Sequence, residues 1–195
     1  MEEILSGIEG VANSQDDIII WGSTKDEHNK RLSVVMKVLF EAGLRLNKAK
    51  CQIGVSEMIF LGHKITATGI YPDPAKIEAI QKMEIPTDRL GVQRLLGMVN
   101  FVGKFIPNLS EITTPLRKLI EKDTPFTIGQ SEMQAIRTIQ EIWTTNPVLK
   151  ALDPKRQLKL SSDASKHGLG AVLLQKHEDD WLPIAYASRS LAYPN

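Results

Sequence analysis

The sequence predicts an α+β chain in three stretches, and three observations carry that prediction. Short apolar runs separated by polar or glycine turns fill the chain up to about Ile70. From Pro74 to about Lys122 apolar residues recur at helical spacing between proline breaks. After Asp153-Pro154 the pattern alternates again as strands, following a helical lead-in. The expected boundaries are 1–70, 74–122 and 125–195.

Ile8 to Val11 and Ile18 to Trp21 read as two strands around the polar turn Asn13-Ser14-Gln15-Asp16. Ser23 or Thr24 caps a helix whose first turn is acidic. In that helix Leu32, Val35, Met36, Leu39 and Phe40 repeat at helical spacing, and Gly43 closes it. Lys50 to Val55, Met58 to Leu61 and His63 to Thr66 read as strands. Gly69 to Pro74 reads as a linker, because two prolines in three residues disfavour a helix or a central strand.

Ala75 to Met83 is a short helix stopped before Pro86. Thr87-Asp88 then caps a longer one, ended by Pro107, with Val92, Leu95, Leu96, Val99 and Val102 as its apolar stripe. Gln93, Gly97 and Phe101 lie four apart on a neighbouring stripe. Glu111 to Glu121 and Ser131 to Thr144 continue as helices. Gln157 to Ser162, Gly170 to Gln175 and Leu182 to Ser188 read as strands.

Composition narrows the function classes. The 195 residues carry a net charge of +1 and 42% hydrophobic residues, as in an ordinary globular chain. Any nucleic-acid contact must therefore come from local patches. No apolar run is long enough for a membrane helix, so no membrane partner is expected. The single cysteine, Cys51, excludes an intrachain disulfide and reads as a core or half-buried thiol. It is consistent with an intracellular location, cytoplasmic or nuclear. The abrupt start after Met1 suggests a piece of a larger protein.

The candidate chemistry is acidic. Asp16-Asp17 are adjacent like charges at a strand turn, relieved either by an exposed position or by a cation. The apolar strand that follows places them at the lip of a sheet, where two-metal enzymes hold magnesium. Asp163, near a strand end before Ala164-Ser165, is either a turn aspartate or a metal ligand. His63 after Phe60-Leu61-Gly62 is either a partly buried polar residue or a ligand. Gln93, Gly97 and Phe101 are either plain packing or a flat strip suited to a minor groove, with Arg94 and Lys104 in reach of phosphates.

Taken together, these motifs resemble the polyprotein of a Ty3/gypsy-type long-terminal-repeat retrotransposon. The resemblance runs through Asp16 to Ser23, Gly43 to Asn47, Phe60 to His63, Gly69 to Pro74 and Leu96 to Phe101. It continues through Lys104 to Asn108, Pro115-Leu116, Asp163 to Ser165 and Pro183 to Ser190. It implies the end of a reverse transcriptase palm, a helical thumb, and the start of a tethered ribonuclease H with a truncated mixed sheet.

The resemblance assigns roles residue by residue. Asp16 and Asp17 match the metal-binding polymerase aspartates, and Asp163 the first acid of the ribonuclease H metal site. Phe60, Leu61, Gly62 and His63 match the primer grip. Gln93, Gly97 and Phe101 match the thumb helix that tracks the duplex minor groove. Mg2+ is the implied cofactor. The implied partners are an RNA/DNA template-primer duplex and the remaining Pol segments.

Two departures matter. Ser14 stands where the family carries an aromatic residue, and Ala12 to Gln15 is polar for a buried turn. The remaining palm aspartate and the later ribonuclease H acids are expected outside this sequence, so the chain alone is expected to be inactive. The alternative is a non-catalytic remnant or a nucleic-acid-binding module. The β-rich end is expected to be marginal, with an open edge and an uncovered apolar face.

Overall fold

The structure, a computed structural model, describes residues 2–145, 147–166 and 168–191. Its contacts group the chain into two compact units, Met1–Phe60 and Leu61–Asn195.

In the first unit a one-turn helix α1 (Glu2–Leu5) precedes the antiparallel pair β1 (Val11–Ser14) and β2 (Asp17–Ile20). The helix occupies a stretch the sequence assigned to no element, and the first strand begins at Val11 rather than Ile8. The turn is also tighter than expected. Ser14 pairs with Asp17, leaving Gln15-Asp16 as the loop, with Gln15 at φ +52°.

Helix α2 (Lys25–Glu41) begins at Thr24, whose hydroxyl accepts the Glu27 N–H at 3.2 Å. The Glu27 carboxylate accepts the Ser23 N–H in return. At the other end Gly43, at φ +70°, lets Leu44 N–H reach Leu39 O and Gly43 N–H reach Phe40 O. These are the two bonds of a Schellman close. Leu5, Val35 and Leu39 form a small core with Ile8, Val11, Ile18 and Ile20.

The expected strand Lys50 to Val55 does not form. Lys48–Lys50 is a 3-10 turn capped by the Asn47 side chain, which accepts the Ala49 N–H. Cys51 is consequently exposed rather than buried, and its thiol donates to Asn47 O. Strand β3 (Glu57–Phe60) ends the unit.

The second unit opens with β4 (His63–Thr66), paired antiparallel with β5 (Ile70–Pro72). The expected linker is therefore partly a strand. Pro72 is tolerated because it is the last residue of the strand, where its missing N–H interrupts no further ladder. Ile70 also exchanges both backbone bonds with Leu149, at 2.7 and 2.9 Å.

Asp73 then caps α3 (Pro74–Gln81), accepting Ala75 N–H, with Pro74 in the first turn where no donor is needed. Asp88 caps α4 (Arg89–Phe101), accepting Gly91 N–H at 2.7 Å. Val92, Leu95, Leu96, Val99 and Val102 are all buried, as their spacing requires. A 3-10 turn (Gly103–Phe105), not Pro107, ends this helical run. Helices α5 (Leu109–Leu119) and α6 (Gln130–Glu141) complete the helical layer.

Three antiparallel strands follow in the order β6 (Leu158–Ala164), β7 (Gly168–His177), β8 (Asp180–Ser190). They run longer than the sequence pattern marks, with an irregularity between Leu173 and Leu174. The fully buried Gln175 fixes the Asp153-Pro154 turn against β7. Its amide donates to Asp153 O at 2.8 Å and accepts Asp153 N–H at 3.0 Å.

The expectation of an uncovered sheet needs correction for two of the three strands. Helix α5 packs on β7 and β8, and Tyr186 joins the main core of Ile80, Phe105, Leu116 and Ile136. Only β6 is bare, with Leu158 51% and Leu160 70% exposed.

Candidate nucleic-acid interface

Leu61 and Gly62 sit at φ +50° and +71°, the two left-handed positions of a type I′ turn. Glycine takes this geometry freely, whereas Leu61 is held there against a cost of roughly 1 kcal/mol. Its side chain is left about half exposed. Close packing explains the glycine further. A Cβ on Gly62 would lie 2.7 Å from the Phe101 ring.

After this turn the His63 ring stacks on Phe101, with centroids 5.9 Å apart and planes inclined by 17°. The same imidazole also contacts Phe105, with centroids 5.8 Å apart and planes inclined by 34°. Phe105 is buried, while Phe101 is 48% exposed. Each phenyl ring carries a lysine. Lys76 Nζ is 4.9 Å from the Phe101 centroid, and Lys104 Nζ is 5.4 Å from that of Phe105. Partial burial holds the Lys104 ammonium below the ordinary lysine pKa.

Phe101 is also the last residue of α4, in line with Gln93 and Gly97. Gln93, Arg94 and Gly97 are exposed, whereas Phe101 packs in part against His63. Nothing lies within 4 Å of a Cβ built on Gly97. The result is a flat, smooth helix face ending in an exposed aromatic ring. Such a face suits a groove or a stacked base.

The structure thus brings Leu61, Gly62, His63, Phe101 and Lys104 together, with Gln93, Arg94 and Gly97 along the same helix. Phe60, half-buried at the end of β3, belongs to the first unit. Lys76 and Phe105 were not among the residues the sequence singled out. The signal for Lys76 was Asp73-Pro74, which fixes the first turn of α3 and hence where its third residue projects.

The acidic positions are less complete. Asp16 and Asp17 are exposed, in the turn and at the first residue of β2. Asp163 is exposed on β6, and its carboxylate accepts the Ala164 N–H at 2.9 Å. It shares a cleft with Asn108, Ser110, Glu111 and Ser165. Its cross-strand row continues through Gly170 to Ser188. Ser188 holds the buried Ser110, whose N–H donates to Ser188 Oγ at 2.9 Å while the hydroxyls lie 2.6 Å apart. Among the described residues no group of three His, Cys, Asp or Glu side chains is placed to hold a metal ion. These acids alone do not fit a two-ion site.

Residues 12–65 match the family model for reverse transcriptase (RNA-dependent DNA polymerase). Residues 128–194 match that for the RNase H-like domain found in reverse transcriptase. The Tf2-3 and Tf2-7 transposon polyproteins of Schizosaccharomyces pombe are each 35% identical over 178 residues. That is 91% of this chain and 13% of each polyprotein, so the chain spans about an eighth of these relatives.

A foamy viral protease-reverse transcriptase (dRH) in complex with double-stranded DNA is similar at TM-score 0.86 and 29% identity. The match covers 98% of this chain and 34% of that one. The foamy viral protease-reverse transcriptase in complex with RNA/DNA hybrid is similar at TM-score 0.83 and 29% identity, covering 98% and 26%. The chain is thus similar to a segment of a retrotransposon polyprotein, with one stretch like reverse transcriptase and another like the RNase H-like domain found in reverse transcriptase.

Proposed function

We propose that this chain grips the template-primer duplex of a Ty3/gypsy-type retrotransposon reverse transcriptase. In this reading residues 1–70 are the end of the palm, 74–122 the thumb, and 125–195 the connection and the start of the ribonuclease H. The observation that carries it is the exposed row Gln93, Gly97, Phe101, smooth at Gly97 and closed by the Leu61–His63 turn. The row lies in the minor groove, and Arg94 and Lys104 reach phosphates.

The polymerase and ribonuclease H reactions belong to the whole polyprotein. Asp16 and Asp17 contribute to a magnesium site completed by an acid from the remaining Pol segments, and Asp163 to a second site completed likewise. The chain alone binds duplex without catalysis. Two separated acidic positions, Asp16-Asp17 and Asp163, neither within a group of three ligating side chains among the described residues, favour this reading of the isolated protein.

The test is fluorescence anisotropy of the purified chain with a labelled RNA–DNA hybrid across a salt series. Binding that weakens steeply with salt and is lost in Gly97→Glu supports the proposal. Salt-independent or absent binding overturns it. Magnesium-dependent primer extension by the chain alone overturns the non-catalytic part.

A further inference from the structure

Lys76, Phe101, His63, Phe105 and Lys104 are linked by successive contacts, lysine to ring, ring to ring and ring to lysine. Lys104 already belongs to the duplex surface; Lys76 does not. We propose that Lys76 is a further phosphate-binding residue, linked to Lys104 through the contacts of the three rings. This rests on the duplex-binding reading and adds a contact from α3 to it.

Position and surroundings both favour a ligand over an internal role. Lys76 is exposed, and its stem crosses the turn: a Cβ on Gly62 would lie 3.5 Å from Lys76 Cε. The ammonium therefore stands by the Leu61–Gly62 turn, over the Phe101 ring that ends the α4 strip. Among the described residues no carboxylate pairs with it. The nearby acids along α3 are engaged elsewhere. The Asp73 carboxylate accepts Ala75 N–H, and Glu78 pairs with Lys82. An ammonium held over an exposed ring, without a counter-ion and next to a surface shaped for a duplex, is placed for a phosphate oxygen. Because the ring fixes only the head group's direction, the contact is to the backbone and carries no base preference.

The experiment is a salt titration of the full chain on a labelled 20-bp RNA–DNA hybrid, comparing wild type with Lys76→Met, Lys76→Arg and Lys82→Met. Methionine keeps the packing stem and removes the charge. Losing one phosphate contact reduces the slope of log affinity against log salt by about 0.9 and the affinity by about fivefold at 0.15 M salt. The expected result is that Lys76→Met shows both changes on hybrids of any sequence, while Lys76→Arg and the ion-paired control Lys82→Met do not. Wild-type binding with an unchanged Lys76→Met slope overturns this inference and leaves the duplex reading standing. Absence of wild-type binding overturns both. Equal thermal midpoints of wild type and Lys76→Met establish that the change lies in binding.

Discussion

The imidazole of His63 lies nearly parallel to the Phe101 ring, 5.9 Å away, and so couples the start of β4 to the last residue of α4. The turn before β4 and the helix that carries Gln93 and Gly97 are joined through these two side chains.

Replacing Phe101 with alanine removes both the ring stack and the perch for Lys76. Aromatic pairs contribute about 0.5–1.5 kcal/mol beyond their buried area. We expect Phe101→Ala to lower chemical-denaturation stability by about that much or more, and to weaken duplex binding further than Gln93→Ala does. A variant with full affinity would show that the ring is structural only.

Gly97 separates stability from binding. No atom lies within 4 Å of a Cβ there, and glycine inside a helix costs about 0.8–1.0 kcal/mol relative to alanine. Gly97→Ala should therefore raise the denaturation midpoint while weakening duplex binding, because the added methyl meets only the ligand. A rise in stability with unchanged affinity would remove the helix face from the interface.

Glu27 gives the first unit a pH dependence. Its carboxyl lies below the ordinary value of 4.5, mainly through the Ser23 N–H bond, with Arg31 and Thr24 adding to it against partial desolvation. A lowered folded-state pKa means that the unfolded chain binds the proton more readily. The stabilisation is present above pH 4.5 and is lost as pH falls through the folded pKa. Glu27→Gln should thus unfold earlier than wild type at pH 7, with the gap closing in acid. A gap that stays constant in thermal melts down to pH 3 would contradict this origin.

The docking of the sheet on α5 can be broken at one atom. A Cβ on Gly168 would lie 2.5 Å from Ser110 Oγ and 2.8 Å from the Arg189 carbonyl, and the carbonyl cannot rotate away. Gly168→Ala should cost more than Ser188→Ala. The latter strips the partner from the buried Ser110 N–H and costs about 1–3 kcal/mol. Urea unfolding monitored by Trp143 and Trp181 fluorescence would rank the two. The reverse order would show that the interface yields easily.

The elements legible in the sequence are those set by neighbours a few residues away. Thr24 and Asp88 cap their helices through bonds spanning three positions, and the α4 stripe follows from spacing alone. The misread stretches depend on distant partners or on local competition. Ile70 is a strand residue because Leu149 pairs with it, and no local pattern carries that information. Lys50 to Val55 has the alternation of a strand, yet Asn47 diverts its start into a 3-10 turn. The candidate interface was legible along α4, where helical periodicity aligns Gln93, Gly97 and Phe101. Lys76 escaped because its role depends on which ring its ammonium reaches across the fold.

The Ser110–Ser188 bond joins residues 78 positions apart, and Tyr186 beside it completes the core that Ile80 begins. During synthesis the helices emerge from the ribosome long before β8 does. Until β8 emerges, the surface destined for Tyr186 stays wet and the Ser110 amide has only solvent as its partner. The core of the helical layer is thus completed only when the last strand arrives, and premature termination between them leaves that core open where Tyr186 belongs.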